Sequence, residues 1–180
     1  MQYLKEKTFE QVNINSIARF AGLASVAMFL PYLVHIQWIT GPIVNAVLIL
    51  TLLMFGFRNT VAIAMIPSLM ALSGGLLPAV LAPVVPFIMT GNVILILCVD
   101  WFYNNFRDKT KGYWMGVIVG AGLKFLFLFL SVNVISDLLI KQELSIKVAQ
   151  MMTWPQFYTA MIGGMIAFGT LKVLRKDLLS

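Results

Sequence analysis

The sequence predicts an all-α integral membrane protein, a compact bundle of six transmembrane helices with cytoplasmic N- and C-termini. The first observation is composition: 60% of the residues are hydrophobic and only 11% are charged, whereas about 25% are charged in soluble domains. The second is length, since 180 residues provide about six spans of roughly 20 residues with short loops. The third is the distribution of charge, which orients the spans.

Apolar runs of membrane-spanning length are separated by glycines, prolines or clusters of charge. The leader before the first run mixes Glu6 and Glu10 with lysines, so we interpret this run as a retained helix and not as a signal peptide. The predicted spans are residues 16–35, 39–56, 59–76, 79–104, 112–138 and 155–174. The predicted domains are a cytoplasmic segment (1–15), a six-helix domain (16–175) and a cytoplasmic tail (176–180).

Two connections carry structural information. Residues 56–60 are few, so the second and third helices should form a tight antiparallel hairpin. Residues 71–86 contain paired glycines and three prolines, which suit a helix or a re-entrant or broken element equally well. Membranes tolerate such an element only where it is buried in protein or lines a cavity.

Basic residues are concentrated on one side of this topology. Residues 139–153 form a predicted outer loop in which only Lys141 and Lys147 are basic. The inner side carries Lys5, Lys7, Arg58, Arg107, Lys109, Lys111, Lys172, Arg175 and Lys176. This is a positive-inside bias, and six spans satisfy it with both termini in the cytoplasm. Topology and anionic lipid explain the net charge of +6, so we expect the lipid bilayer and no nucleic acid as a partner.

The residues needed for catalysis or metal binding are scarce. The single Cys98 excludes a disulfide framework, and the single His35 excludes a histidine cluster. Neither a phosphate-binding loop nor a nucleophile elbow is present. Ser73 could be imagined as a nucleophile with His35 as its base, but a serine before paired glycines is usually a cap or a turn. We predict that the chain is not an enzyme and uses no cofactor and no metal.

Polar groups inside the spans are the remaining candidates for a site, because each is costly in hydrocarbon. Asn45, Asn92, Lys124 and Asn133 fall between the midplane and the predicted outer face. For the asparagines, ligand binding and interhelical hydrogen bonding both stay open. A lysine at the midplane needs a buried partner, water or a ligand. Nearer the inner face, we expect Asp100 to pair with Arg19 or with Lys124.

The stretch HIQWITGPIVNA, residues 35–46, joins the first two predicted helices. We interpret His35, Gln37 and Trp38 as an outer loop that covers the pocket, and Pro42 as part of the first turn of the next helix. His35 has no second imidazole or thiol with which to complete a metal site. We expect Trp38 and Phe87 to contact the apolar body of a ligand.

Three motifs occur in an order that resembles a known family. They are TGPIVNA at residues 40–46, GLLP at 75–78 and PFIMTGN at 86–92. In this order, within six helices, they resemble a substrate-binding S-component of an energy-coupling factor (ECF) transporter, over about residues 16–175.

The resemblance implies a transport role without an ATPase motif. In that family a subunit of the prokaryotic cytoplasmic membrane captures a vitamin or related micronutrient at the outer face. It associates with a transmembrane T-component and two cytoplasmic ATPase subunits. Small residues on the first helix dock on the T-component, and here Ala18 with Gly22, and Ala21 with Ser25, have the required spacing, although the favoured alanine pair is absent. A corrinoid is one candidate substrate. Pantothenate is another, because its carboxylate suits Lys124.

Two other functions stay open. An autonomous secondary transporter would move substrate without ATPases, although no internal repeat and no coupling-ion carboxylate in the outer half supports it. A structural membrane protein would bind no small molecule.

Overall fold

The computed structural model describes residues 14–138 and 142–174, and every regular element within them is helical. The elements are α1 (Ile14–Leu33), α2 (Gln37–Phe55), α3 (Phe57–Ser73), a 3-10 helix (Ala79–Val84), α4 (Val85–Asn105), α5 (Lys109–Leu138), α6 (Gln142–Met152) and α7 (Trp154–Leu174). Five segments, containing α1, α2, α4, α5 and α7, are long and apolar enough to cross a membrane, and α3 is a shorter apolar helix. The prediction of a helical multi-pass membrane protein agrees with this architecture. Nearly all of the predicted N-terminal segment, and the whole C-terminal tail, lie outside the described residues.

One end of the bundle gathers the α1–α2 loop, the turn after α3 and the end of α6. The His35 Nε2 atom makes a hydrogen bond with the Gly74 carbonyl, and Gln37 Nε2 donates to the Met151 carbonyl at 3.0 Å. Tyr32 packs so closely on Gly74 that a Cβ there would lie 2.7 Å from the Tyr32 Cα. We call this the cavity end, because the cavity described below opens from it.

The opposite end gathers the start of α1, the α2–α3 hairpin and the end of α7. The rings of Phe20 and Phe55 meet edge to face with centroids 5.2 Å apart, and Arg19 shares a groove with Leu174. We call this the basic end. The start of α1 and the end of α7 therefore lie at the same end of the bundle. Which compartment each end faces stays a prediction.

The glycine- and proline-rich segment 71–86 is a broken element, one of the alternatives that the sequence left open. Gly75 has a φ of 83°, a conformation that L side chains rarely adopt, and the chain then forms the 3-10 helix before α4. Leu81 and Val84 are buried in a cluster with side chains of α5 and α6. One side of this irregular segment therefore packs on the bundle, whereas Gly75, Ala79 and Pro83 are exposed.

The prediction of a loop over residues 139–153 is wrong for most of its length, because α6 occupies Gln142–Met152. Val148 and Met152, four residues apart on one face, are buried in the same cluster as Leu128 and Ile135 of α5. The helix has 11 residues, which is too few to cross a bilayer. The span predictions depended on long apolar runs, so they could not detect this short helix.

Glycines bring α5 against α4. Gly112, Gly116 and Gly120 recur at four-residue spacing, which places them on one helix face. A Cβ at Gly116 would lie 2.7 Å from the Val99 Cα, and one at Gly112 would lie 2.7 Å from the Phe102 carbonyl oxygen. Lys124 continues this stripe by one more turn, so the close approach also directs Lys124 toward α4.

We predict that Gly116→Ala lowers the free energy of unfolding by about 1–3 kcal/mol, because the added methyl meets α4 backbone that must shift. Gly122→Ala is the matched control on the same helix, where an added Cβ meets nothing within 4 Å. This control should be neutral or stabilising by up to about 1 kcal/mol through helix propensity. Thermal unfolding of the two purified variants measures the difference, and equal stabilities would contradict the packing argument.

We predict that the cavity end faces outward and the basic end faces the cytoplasm, because of the positive-inside bias. Gln150 in α6 and Arg107 between α4 and α5 are both exposed. In a Cys98→Ser background, Gln150→Cys should react with an impermeant maleimide in intact cells, whereas Arg107→Cys should react only after permeabilisation. The opposite labelling pattern would reverse the orientation.

Candidate functional site

Lys124 is buried near the middle of α5, with 1% of its surface exposed. Its Nζ donates hydrogen bonds to Asn92 Oδ1 at 2.8 Å and to Asn45 Oδ1 at 2.9 Å. The two asparagines lie on α4 and α2. One amino group therefore joins three helices, through bonds that are charge-assisted when the lysine is protonated.

The two asparagine side chains are held in the orientation that this contact needs. Asn45 Nδ2 donates to the Gly41 carbonyl at 2.9 Å, and Asn92 Nδ2 donates to the Ala64 carbonyl on α3 at 3.4 Å. Each amide thus uses its NH₂ group on backbone and directs its oxygen to Lys124. The Lys124 cluster, defined as Lys124, Asn45 and Asn92, is linked in this way to four helices.

Glycines provide the space that the Lys124 cluster occupies. A Cβ at Gly163 of α7 would lie 2.6 Å from the Asn45 Cβ, and one at Gly91 would lie 3.3 Å from the Lys124 Cγ. Both glycines are buried. The approach of α7 to α2, and of α4 to the lysine stem, therefore depends on the absence of a side chain at these positions.

A cavity of about 90 Å³ adjoins the Lys124 cluster. This volume holds a few water molecules and is smaller than the roughly 300–1,000 Å³ typical of sites that enclose drug-sized ligands. Its wall combines polar and apolar side chains from all seven α-helices. The lining residues are Pro31, Gln37, Thr40, Gly41, Val44, Asn45, Pro67, Ser68, Ala71, Leu76, Leu77, Ile88, Asn92, Lys124, Met151, Gln156 and Thr159.

A second polar group of this wall is centred on the end of α6. Gln37 Nε2 and Gln156 Nε2 both donate to the Met151 carbonyl, each at 3.0 Å. Carbonyls in the last turn of a helix lack intrahelical partners, so this oxygen is available for both amides. The contact attaches α6 to the starts of α2 and α7 beside the cavity.

The structure brings together Gln37, Asn45, Asn92 and Lys124 from the predicted substrate-binding residues, since all four line one cavity. The other predicted residues are His35, Trp38, Phe87 and Asn133. His35, Trp38 and Phe87 do not line this cavity, and the Asn133 side chain lies outside what the structure describes.

The helix α2 begins earlier than predicted, within the stretch that was interpreted as a lid. The helix begins at Gln37, so Pro42 lies inside it and not in its first turn, and only His35 of the three predicted lid residues is in the loop. Successive helical residues point about 100° apart. Gln37 therefore faces the cavity, while Trp38 is 57% exposed. Phe87 instead stacks on Phe127, with ring centroids 6.5 Å apart.

Four polar lining residues were not among the predicted site residues: Thr40, Ser68, Gln156 and Thr159. Helical spacing could have found two of them. Gln156 and Thr159 are three residues apart on α7, and both are buried, which places them on one inward face.

The expected contacts of Asp100 are not formed in the part of the chain that the structure describes. Asp100 Oδ1 accepts a hydrogen bond from Asn104 Nδ2 at 3.0 Å, and the Nζ of Lys124 contacts the two asparagines. Arg19 lies in a groove beside Leu50 and Leu174. The prediction of a pair with Arg19 is wrong because α1 packs against α2 and α3, which keeps Arg19 away from α4.

The predicted docking residues share an open face of α1. Ala18, Ala21, Gly22 and Ser25 are all exposed, and a Cβ at Gly22 would meet nothing within 4 Å. This face is therefore accessible, and Gly22 also lines the groove that contains Leu50 and Leu174.

Comparison of the chain with protein-family models, with curated proteins and with solved structures finds no match. The fold and the site define a class: a helical multi-pass membrane protein with an internal cavity of mixed polarity. The cavity and its polar residues are the basis for a functional proposal.

We predict that Lys124→Met and Asn92→Ala are coupled by about 0.5–3 kcal/mol in a double-mutant cycle, because each removes a partner of the same hydrogen bond. The free energy of unfolding can be measured by detergent titration in mixed micelles. Asn105→Ala is the control, since this exposed amide donates to the Trp101 carbonyl of its own helix. Additive losses in the Asn92 cycle would contradict an energetic role for the Lys124 cluster.

Proposed function

We propose that this chain is a membrane-embedded substrate-binding subunit of an importer, and that the cavity beside Lys124 binds a small polar organic molecule. The observation that carries the proposal is the convergence of Asn45, Asn92 and Lys124, from three helices, on one internal cavity. Polar groups at membrane depth are costly and therefore usually serve a function.

A purely structural role accounts less well for the space beside the cluster. Interhelical hydrogen bonds alone would explain the Lys124 cluster, but they do not require further polar side chains around an open cavity beside it. This cavity measures about 90 Å³, and Gln37, Gln156 and Thr159 add further polar surface to it. Water can occupy a cavity with this lining, and a ligand that binds there would displace it.

The resemblance to ECF S-components supports the particular kind of importer. The sequence has no phosphate-binding loop, so energy would come from separate subunits, namely a transmembrane T-component and two cytoplasmic ATPases. The exposed small residues of α1 suit close approach by another helix, because membranes supply no hydrophobic force between helices. On this proposal the chain belongs in a prokaryotic cytoplasmic membrane, and its cavity end faces outward.

The size of the cavity bears on the two candidate substrates. A corrinoid exceeds drug-sized ligands, which themselves need several times the roughly 90 Å³ found here. The smaller pantothenate would require less expansion of the cavity. A vitamin of modest size therefore fits the proposal better than a corrinoid does.

The second candidate function, an autonomous secondary transporter, is favoured by one observation. A titratable lysine buried among membrane helices is a feature of proton-coupled transporters. If this function is correct, the purified protein in liposomes without any ATPase would accumulate substrate when a proton gradient is imposed. If the protein is an ECF subunit, it would not.

We predict that binding and uptake respond to different variants. Small molecules released from the purified parent protein can be identified by mass spectrometry, and the released compound then serves as the labelled ligand. Asn92→Leu should weaken its binding by 10- to 100-fold, or about 1.4–2.8 kcal/mol, because a buried hydrogen-bonding group is lost. Gly22→Leu should leave binding intact and abolish uptake by cells, because it blocks helix approach at the α1 face.

Gly169→Leu is the matched control for Gly22→Leu, since both glycines are exposed and a Cβ at either meets nothing within 4 Å. It should affect neither binding nor uptake. If Asn92→Leu binds the ligand as the parent does, the cavity is not the site. If Gly22→Leu loses binding, the α1 face does not serve a partner.

A further inference from the structure

We infer that the ligand of the cavity is a compact organic carboxylate whose acid group lies against the Lys124 amino group. This inference rests on the proposed function and specifies the chemistry of its substrate. It depends on the charge around Lys124, on the hydrogen-bonding capacity of its Nζ and on the arrangement of the cavity wall.

Neutral groups surround Lys124. Its hydrogen-bond acceptors are two amide oxygens, at 2.8 and 2.9 Å. Among the acidic residues whose side chains the structure describes, Asp100 bonds to Asn104 and Asp108 pairs with Lys111. The cluster therefore orients a buried ammonium group without neutralising it. A buried charge is tolerated when an opposite charge joins it, and a ligand anion in the adjoining cavity would supply one.

The hydrogen bonds of Lys124 leave a place for that anion. An ammonium group has three donors, and the asparagines accept two of them. The third is available to an acceptor in the cavity, which Lys124 lines. One remaining donor suits a singly charged carboxylate. A phosphate, with its larger charge and three oxygens, is bound by several donors or by a bidentate arginine, and no arginine lines this cavity.

The rest of the wall indicates the rest of the ligand. Val44, Pro67, Ala71, Leu77 and Ile88 provide an apolar flank. The hydroxyl groups of Thr40 and Thr159 donate to backbone carbonyls, and the two glutamines donate to the Met151 carbonyl. Hydroxyl and amide oxygens are thereby left as acceptors. The ligand that matches this wall has a carboxylate at one end, a short apolar body and a hydroxyl or amide N–H group as a donor.

The test compares ligands, and variants, whose main difference is the presence or absence of a charge. The protein is the full-length chain in nanodiscs, and the small molecules that it releases are identified by mass spectrometry. In parallel, 4-hydroxybutyrate and 4-hydroxybutyramide, and the larger pair pantothenate and pantothenol, are titrated while thermal unfolding is followed. We expect the released compound to be a carboxylate, and the acid of at least one pair to raise the unfolding temperature more than its neutral partner.

Lys124→Gln is the decisive variant, because its side-chain amide keeps two N–H donors for the asparagine oxygens but carries no charge. It should lose at least tenfold more affinity for the carboxylate than for the neutral partner. Lys111→Gln is the control on the same helix, because Lys111 is exposed outside the cavity. Lys124→Met serves as a second uncharged variant if Lys124→Gln fails to fold.

Failure of this inference can be separated from failure of the proposed function. A released ligand that is neutral, and that Asn92→Leu binds more weakly than the parent does, would overturn the carboxylate while leaving the cavity as the site. If the acid and neutral probes do not differ and no anion is released, the inference is also wrong. If Asn92→Leu and Lys124→Gln bind the released ligand as the parent does, the cavity itself is not the site.

Discussion

The interaction on which the rest of this structure depends is the contact of the Lys124 amino group with two asparagine oxygens. A lysine at the middle of a span cannot extend its charge to the interface, so its position is tolerable only if other helices bring polar groups to the same depth. Asn45 and Asn92 do this from α2 and α4. Because the Asn92 amide also bonds to α3, the positions of four helices are constrained together.

Close backbone approach is what makes this contact possible. A lysine and two asparagines have short reach compared with the usual 8–10 Å separation of helix axes, and glycines reduce that separation where it matters. Gly120 and Gly116, one and two turns before Lys124, allow α5 to pack closely against α4, and Gly163 allows α7 to pack closely against Asn45. The glycines and the polar cluster are thus parts of one arrangement, in which backbone proximity provides the hydrogen-bonding geometry.

The sequence predicted the helices and the centre of the site for physical reasons. Long apolar runs identify spans without knowledge of tertiary contacts, and a rise of 1.5 Å per residue with alternating direction places Asn45, Asn92 and Lys124 at similar depth. It could not predict the Met151 carbonyl as a site group, because a backbone acceptor has no residue-type signal. Helix α6 was not predicted because its segment is as short and as polar as a loop. Trp38 was misplaced by a two-residue error in the start of α2, which changes the direction in which that side chain points.

The hydrogen bonds of the two polar groups in the cavity wall differ in strength, and this difference bears on how a ligand would enter the cavity. At the Lys124 cluster the bonds involve a group that carries charge when protonated, and such bonds contribute about 1.5–3 kcal/mol each, whereas neutral ones contribute about 0.5–1.5 kcal/mol. Around the Met151 carbonyl the bonds of Gln37 and Gln156 are between neutral groups. The hydrogen bonds that join α6 to α2 and α7 are therefore weaker than those that join α5 to α2 and α4. On the proposed function, we expect the side of the cavity beside α6 to open first when the space expands for a ligand.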